Sequence, residues 1–135
     1  MTETTPKASE TRAMRPEDLT ALFVAAAQAK DADGIAALYA PDAVMAFPPG
    51  RQTVGREAIR ALWAGLFAGP AADAMNFEPE RIVPTVVRGD LALTATIAAD
   101  GTGARAQVAQ RQPDGSWLRV LDQPEFDQPE FAGPS

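Results

Sequence analysis

Asp31 and Asp33 stand two residues apart, a spacing at which one carboxyl could give up a proton while its neighbour takes one. The pair also opens a helical pattern, where acids cap free N–H groups and suit the amide dipoles, and capping is the better account. Asp42, following Tyr39-Ala40-Pro41, reads as a turn or strand-entry acid rather than a catalyst. Gly101-Thr102-Gly103 has the composition of a phosphate loop, but no helix follows it, so a hairpin turn is the better reading. The chain has no Cys and no His, which excludes disulfides, thiolate chemistry and imidazole chemistry. A zinc, copper or haem site would have to be built from carboxylates alone, so neither a metal nor another cofactor is expected.

Partners are narrowed by charge. A net charge of -6 and a pI near 4.6 oppose a polyanionic partner, and Arg51, Arg56, Arg60, Arg81, Arg88, Arg105, Arg111 and Arg119 are scattered rather than clustered. Nucleic acid is not expected. Neither an eighteen-residue apolar run nor a signal-peptide pattern occurs, Ala21 to Ala27 being too short, so a cytoplasmic protein without membrane contact is the expectation.

The elements that must position any site follow from periodicity. At 135 residues the chain fits one domain. Residues 1–14 are small and polar and read as a disordered N-terminal tail, with a domain over 15–123 and an acidic, Pro-containing tail over 124–135. Pro16 at a first helical position precedes Leu19, Leu22, Phe23 and Ala26 on one helical face. Asp31 caps a second helix carrying Ile35, Leu38 and Tyr39, which Pro41 stops. An apolar strand over 43–47 runs into Pro48-Pro49-Gly50. A third helix follows Gly55, with Ile59, Leu62, Trp63, Leu66 and Phe67 in register. Four strands then alternate with turns: 77–88, 91–99, 104–111 and 117–122. The pentapeptide DQPEF occurs at 122–126 and again at 127–131, and its first copy is placed to complete the sheet. Three helices followed by a meander give an α+β layout with the helices on one face of a curved antiparallel sheet.

This order resembles the nuclear transport factor 2-like superfamily, the cone-shaped fold of ketosteroid isomerase and SnoaL-like cyclases. The resemblance rests on Asp33-Gly34-Ile35, Leu38-Tyr39-Ala40-Pro41-Asp42-Ala43, Pro48-Pro49-Gly50, Gly55-Arg56-Glu57-Ala58-Ile59 and Asp114-Gly115-Ser116-Trp117. Matching the flanking motifs puts the isomerase base position at Phe47, its Tyr position at Phe23 and its second acid at Ala109. None of these residues can move a proton, so the resemblance implies the fold without steroid isomerisation by that mechanism.

The resemblance also implies a cavity between helices and sheet. Phe23, Met45, Phe47, Trp63 and Phe67 would form its apolar wall, and the Ala109 face of its strand brings Arg105, Gln107 and Arg111 as polar candidates. On the last strand either Leu118, Val120 and Asp122 or Trp117, Arg119 and Leu121 face inward, and the resemblance favours the first set. Asp122 would then be a proton acceptor or ligand hook, or a structural acid paired with Arg111 or Arg105. Three functions fit: a homodimer that binds a hydrophobic small molecule in an apolar pocket; a cofactor-independent cyclase, isomerase or lyase using Asp122; or an association module. In the last, the outer sheet face of Ala104, Ala106 and Val108 mediates assembly.

Overall fold

Leu19, Ala26 and Ala27 bury one side of the first helix, α1 (Asp18–Gln28), and Leu22 and Phe23 lie half-buried beside them. The computed structural model describes residues 12–70, 72–74, 80–98, 101 and 103–124. Glu17 stands at the N-cap position of α1 without a side-chain cap bond, so Pro16 precedes the helix instead of opening it. The polypeptide already meets the sheet at Ala13, which is buried and bridges Trp117, inside the segment expected as a tail; residues 1–11 and 125–135 lie outside the described residues.

Helix α2 (Ala32–Ala36) begins as expected, with the Gly34 N–H donating to Asp31 Oδ1 at 2.9 Å. Asp31→Ala leaves that N–H without its cap and is expected to cost about 1 kcal/mol in urea-induced unfolding. The helix stops at Ala36, however, and Leu38 and Tyr39 do not belong to it. Pro41 disfavours the helical conformation for Ala40, and strand β1 runs from Tyr39 to Met45, four residues earlier than expected. A two-residue strand β2 (Thr53–Val54), absent from the sequence reading, leads to α3 (Arg56–Ala68), which buries Ile59 and half-buries Leu62, Trp63, Leu66 and Phe67.

After a 3₁₀ turn at Ala72–Ala74 come β3 (Arg81–Arg88), β4 (Leu91–Ile97), β5 (Ala104–Arg111) and β6 (Trp117–Gln123). The start expected for the first of these strands, at 77–79, lies outside the described residues. Of the DQPEF repeat, Asp122 and Gln123 do extend β6. The strand order is β2-β1-β6-β5-β4-β3. The sheet is mixed rather than purely antiparallel, because β6, the last strand of the meander, lies parallel to β1. The helices cover one face, as an α+β cone requires.

The opposite face carries an apolar row. Val54, Val44, Leu121, Val108, Leu93 and Val86 are successive cross-strand partners through all six strands. Val54, Leu121, Leu93 and Val86 are each between 46% and 63% exposed.

Candidate functional site

Tyr39 opens β1 and is held by its backbone from two sides. Arg56, the first residue of α3, donates Nε to the Tyr39 carbonyl at 2.9 Å, and the neighbouring Leu38 carbonyl accepts from the Arg119 N–H at 2.9 Å. Gly55 sets Arg56 in place: its φ of 97° is open to glycine at little cost, and its N–H reaches the Ala43 carbonyl at 2.7 Å. Between Tyr39 and Val44 the β1–β6 register breaks, and Pro41 and Asp42 turn outward, exposed. A proline inside a central strand is tolerated at such an irregularity.

Strand β6 carries a bulge. Leu121 pairs with Val108 whereas Arg119 pairs with Ala109, so Val120 is an extra residue without a partner on β5. The insertion shifts the alternation by one, and Trp117, Arg119 and Asp122 are all buried while Leu121 is exposed. Neither set expected from strict alternation is realised; Arg119 and Asp122, which it made mutually exclusive, share the inner face.

These three side chains meet. The Tyr39 hydroxyl donates to Asp122 Oδ2 and accepts from Arg119 Nη1 at 3.3 Å, and Arg119 Nη1 lies 3.9 Å from the same Asp122 oxygen. The side chains of Arg119 and Asp122 are only 4% and 3% exposed. Desolvation, reinforced by the Asp122 charge and opposed by Arg119, pushes the Tyr39 hydroxyl far above its usual pKa, so it stays a proton donor. Arg119 Nε and Asp122 Oδ1 have no hydrogen-bond partner among the described residues. The pairing expected for Asp122 is not formed: Arg111 binds Asp90 at 2.7 Å and Arg105 binds Glu80 at 3.1 Å.

Above this floor the Arg119 guanidinium sits 5.2 Å from the centre of the Phe23 ring. Phe23 meets Trp63 edge to face at 5.5 Å, and Trp63 meets Phe67 at 5.5 Å. Met45 and Ala109 are fully buried in the same core, and Phe47 packs half-buried against it. Gln107, opposite Asp122 in the ladder, accepts from the Thr94 hydroxyl at 3.0 Å. Phe23, Met45, Phe47, Trp63, Phe67, Gln107, Ala109 and Asp122 therefore belong to one interior. Arg111 does not join them, being exposed at the hairpin end with Asp90.

The floor is charged and hydrogen-bonded, and of the polar candidates expected there Asp122 and Gln107 lie inside while Arg105 and Arg111 pair elsewhere. Tyr39 is the residue the sequence reading missed, and Arg119, offered there only as the alternative to Asp122, stands beside it. The signal for Tyr39 was Pro41, which forces the preceding residues out of the helix. Three open concavities, of about 480, 560 and 300 Å³, lie beside Ala13 and Trp117, beside the Asp90–Arg111 pair, and on the outer sheet face; Phe23, Trp63 and Phe67 line none of them. No cluster of three acidic groups that could hold a metal ion occurs among the described residues. None of their helices is long and apolar enough to cross a membrane.

A helix-covered mixed sheet of this order, closed over a buried polar floor, defines a nuclear transport factor 2-like domain. Residues 20–123 match the model of the SnoaL-like domain, and the chain belongs to that family. Among solved structures, it is similar to a nuclear transport factor 2-like protein with a cystatin-like fold from Novosphingobium aromaticivorans, at 23% identity over 78% of this chain and 75% of that one, with a TM-score of 0.57. A candidate calcium/calmodulin-dependent protein kinase type II association domain from Thiobacillus denitrificans shares 23% identity over 84% and 96%, with a TM-score of 0.64. A Catenulispora acidiphila protein in complex with S-DNPA shares 19% identity over 86% and 93%, with a TM-score of 0.63. A search of curated proteins found no match.

Proposed function

We propose that this protein is a homodimeric small-molecule-binding domain whose ligand lies along the Phe23–Trp63–Phe67 wall with its head at the Tyr39–Arg119–Asp122 floor. The observation that carries this reading is the floor itself. A buried ion pair is weak evidence for stability, because desolvation offsets most of its attraction, and here the pair keeps a donor and an acceptor unused in the interior. A ligand head that meets those atoms repays their desolvation. Phe23, Trp63 and Phe67 are half-buried and supply the part of the wall that can yield to admit it. The complex of the Catenulispora acidiphila protein with S-DNPA supports ligand binding on this fold.

The outer row supports the dimer. Six apolar side chains aligned across the sheet make a self-complementary patch, and a two-fold axis through it would cover both copies. The likeness to a candidate association domain supports self-assembly on this fold. Leu121 lies mid-row, and Leu121→Lys is expected to weaken dimerisation at least about 30-fold in analytical ultracentrifugation, as loss of a central interface residue does. An unchanged equilibrium would move the interface elsewhere.

Both parts are read in one native mass spectrum of the protein purified from cells. A dimer carrying a discrete additional mass is the expected result. A monomer would remove the dimer from the proposal, and a bare protein that also gives no thermal shift with any aromatic compound would remove the ligand.

A further inference from the structure

We infer that the ligand's head group is electrically neutral and carries a hydrogen-bond acceptor and donor on neighbouring atoms, as in a carboxamide or the enol edge of a dicarbonyl, attached to a flat aromatic body. The inference rests on the ligand-binding reading above and specifies what that site takes.

The spent and unspent atoms of the floor define the head. Tyr39 occupies one side of the ion pair, giving its proton to Asp122 Oδ2 and receiving Arg119 Nη1. The fully buried atoms of the pair left without a partner among the described residues are one donor, Arg119 Nε, and one acceptor, Asp122 Oδ1. A ketone or ether satisfies Nε and leaves the carboxylate oxygen unmet. An amine or alcohol acting only as a donor does the reverse. A head offering both functions satisfies both atoms, and the asymmetry between a filled and an orphaned buried group makes that difference large.

Charge narrows the choice further. Arg119 and Asp122 face each other with side chains 4% and 3% exposed and together sum to zero. A carboxylate or phosphate entering this interior adds an uncompensated charge beside Asp122, and an ammonium does the same beside Arg119; a neutral head adds none. Among the charged groups nearby, Glu80 is engaged with Arg105 and the Thr96 hydroxyl, Glu17 with the Thr85 hydroxyl and Arg15, and Arg56 with the Tyr39 carbonyl. The body follows from the wall. The guanidinium already lies over one aromatic face at 5.2 Å, and the Phe23–Trp63–Phe67 series continues along α1 and α3, surfaces that suit a planar ring system better than a flexible chain.

The test is titration calorimetry of the full chain with four probes that share one aromatic body: naphthalene, 2-acetylnaphthalene, 2-naphthoate and 2-naphthamide. One hydrogen bond to a charged group separates the amide from the ketone, so 2-naphthamide is expected to bind about tenfold tighter than 2-acetylnaphthalene and tighter still than 2-naphthoate. In the double variant Arg119→Met, Asp122→Leu the amide-to-ketone ratio is expected to fall to about one. Tightest binding by 2-naphthoate would replace the neutral head with an anion. Equal binding of amide and ketone, or a ratio that survives the double variant, would show that these two atoms do not read the head; each of these outcomes overturns the inference and leaves the binding site standing. No binding by any of the four, naphthalene included, would overturn the ligand-binding reading as well.

Discussion

Asp122→Ala is expected to lose about 3–5 kcal/mol of unfolding free energy, because it strands the Arg119 guanidinium as an unpaired charge in the interior. The effect is not the loss of one favourable contact. Arg119 is 4% exposed on its side chain, its Nη1 would keep only the Tyr39 hydroxyl, and its Nε already has no partner among the described residues. A domain of this size is stabilised by about 5–15 kcal/mol in total, so the single variant sits near the edge of folding. Removing both charges reverses the argument: Arg119→Met with Asp122→Leu fills similar volume with apolar atoms and is expected to recover most of the loss. Urea unfolding of the wild type, the two single variants and the double variant closes the cycle. Near-additive losses would mean that the two groups do not interact and that the floor is not a unit.

The second large effect appears in alkali. Tyr39 is the only tyrosine in the chain and is fully buried, with its hydroxyl pKa raised by desolvation and by the Asp122 charge. In the unfolded chain that hydroxyl titrates near an ordinary value of about 10, whereas the folded state keeps the proton. The associated stability is complete below about pH 10 and falls as pH rises above it, by about 1.4 kcal/mol per pH unit. Two results follow from having a single tyrosine. Ultraviolet absorbance should show no tyrosinate while the protein stays folded, and its appearance should coincide with unfolding rather than precede it. Tyr39→Phe should flatten the alkaline limb of the stability profile, whatever it costs at neutral pH. A smooth native-state titration of tyrosine near pH 10 would contradict the burial of the hydroxyl.

Legibility in the sequence divides along physical lines. Helix α3 and strands β4 to β6 were readable because local rules act alone there: a 3.6-residue period from Ile59 to Phe67, and turns at Gly89-Asp90 and Pro113-Asp114-Gly115. The cap at Asp31 was readable for the same reason. Tyr39 was misplaced because helical spacing from Ile35 competes with the conformational restriction imposed by Pro41, and the restriction wins once β6 offers Tyr39 a partner strand. The parallel pairing of β1 with β6 is a long-range event that no local pattern encodes. The floor was illegible for a narrower reason. Strict alternation forces a choice between Arg119 and Asp122, and the extra residue Val120 removes that choice without any glycine or proline to announce it. The strand that carries Arg105 and Arg111 was legible, but their ion partners, Glu80 and Asp90, depended on strand ends.

The strand order has a consequence for biosynthesis. Tyr39 and Asp122 are separated by 83 residues, and β6, made last, enters the middle of the sheet between β1 and β5. Until it arrives, the emerging polypeptide holds two separate half-sheets, and the slow, non-local pairing that joins them waits on the final segment of the domain. Leu121 points to one face and Arg119 and Asp122 to the other, so a single segment completes both surfaces at once. A chain interrupted before Trp117 would therefore have neither the floor nor the unbroken outer row.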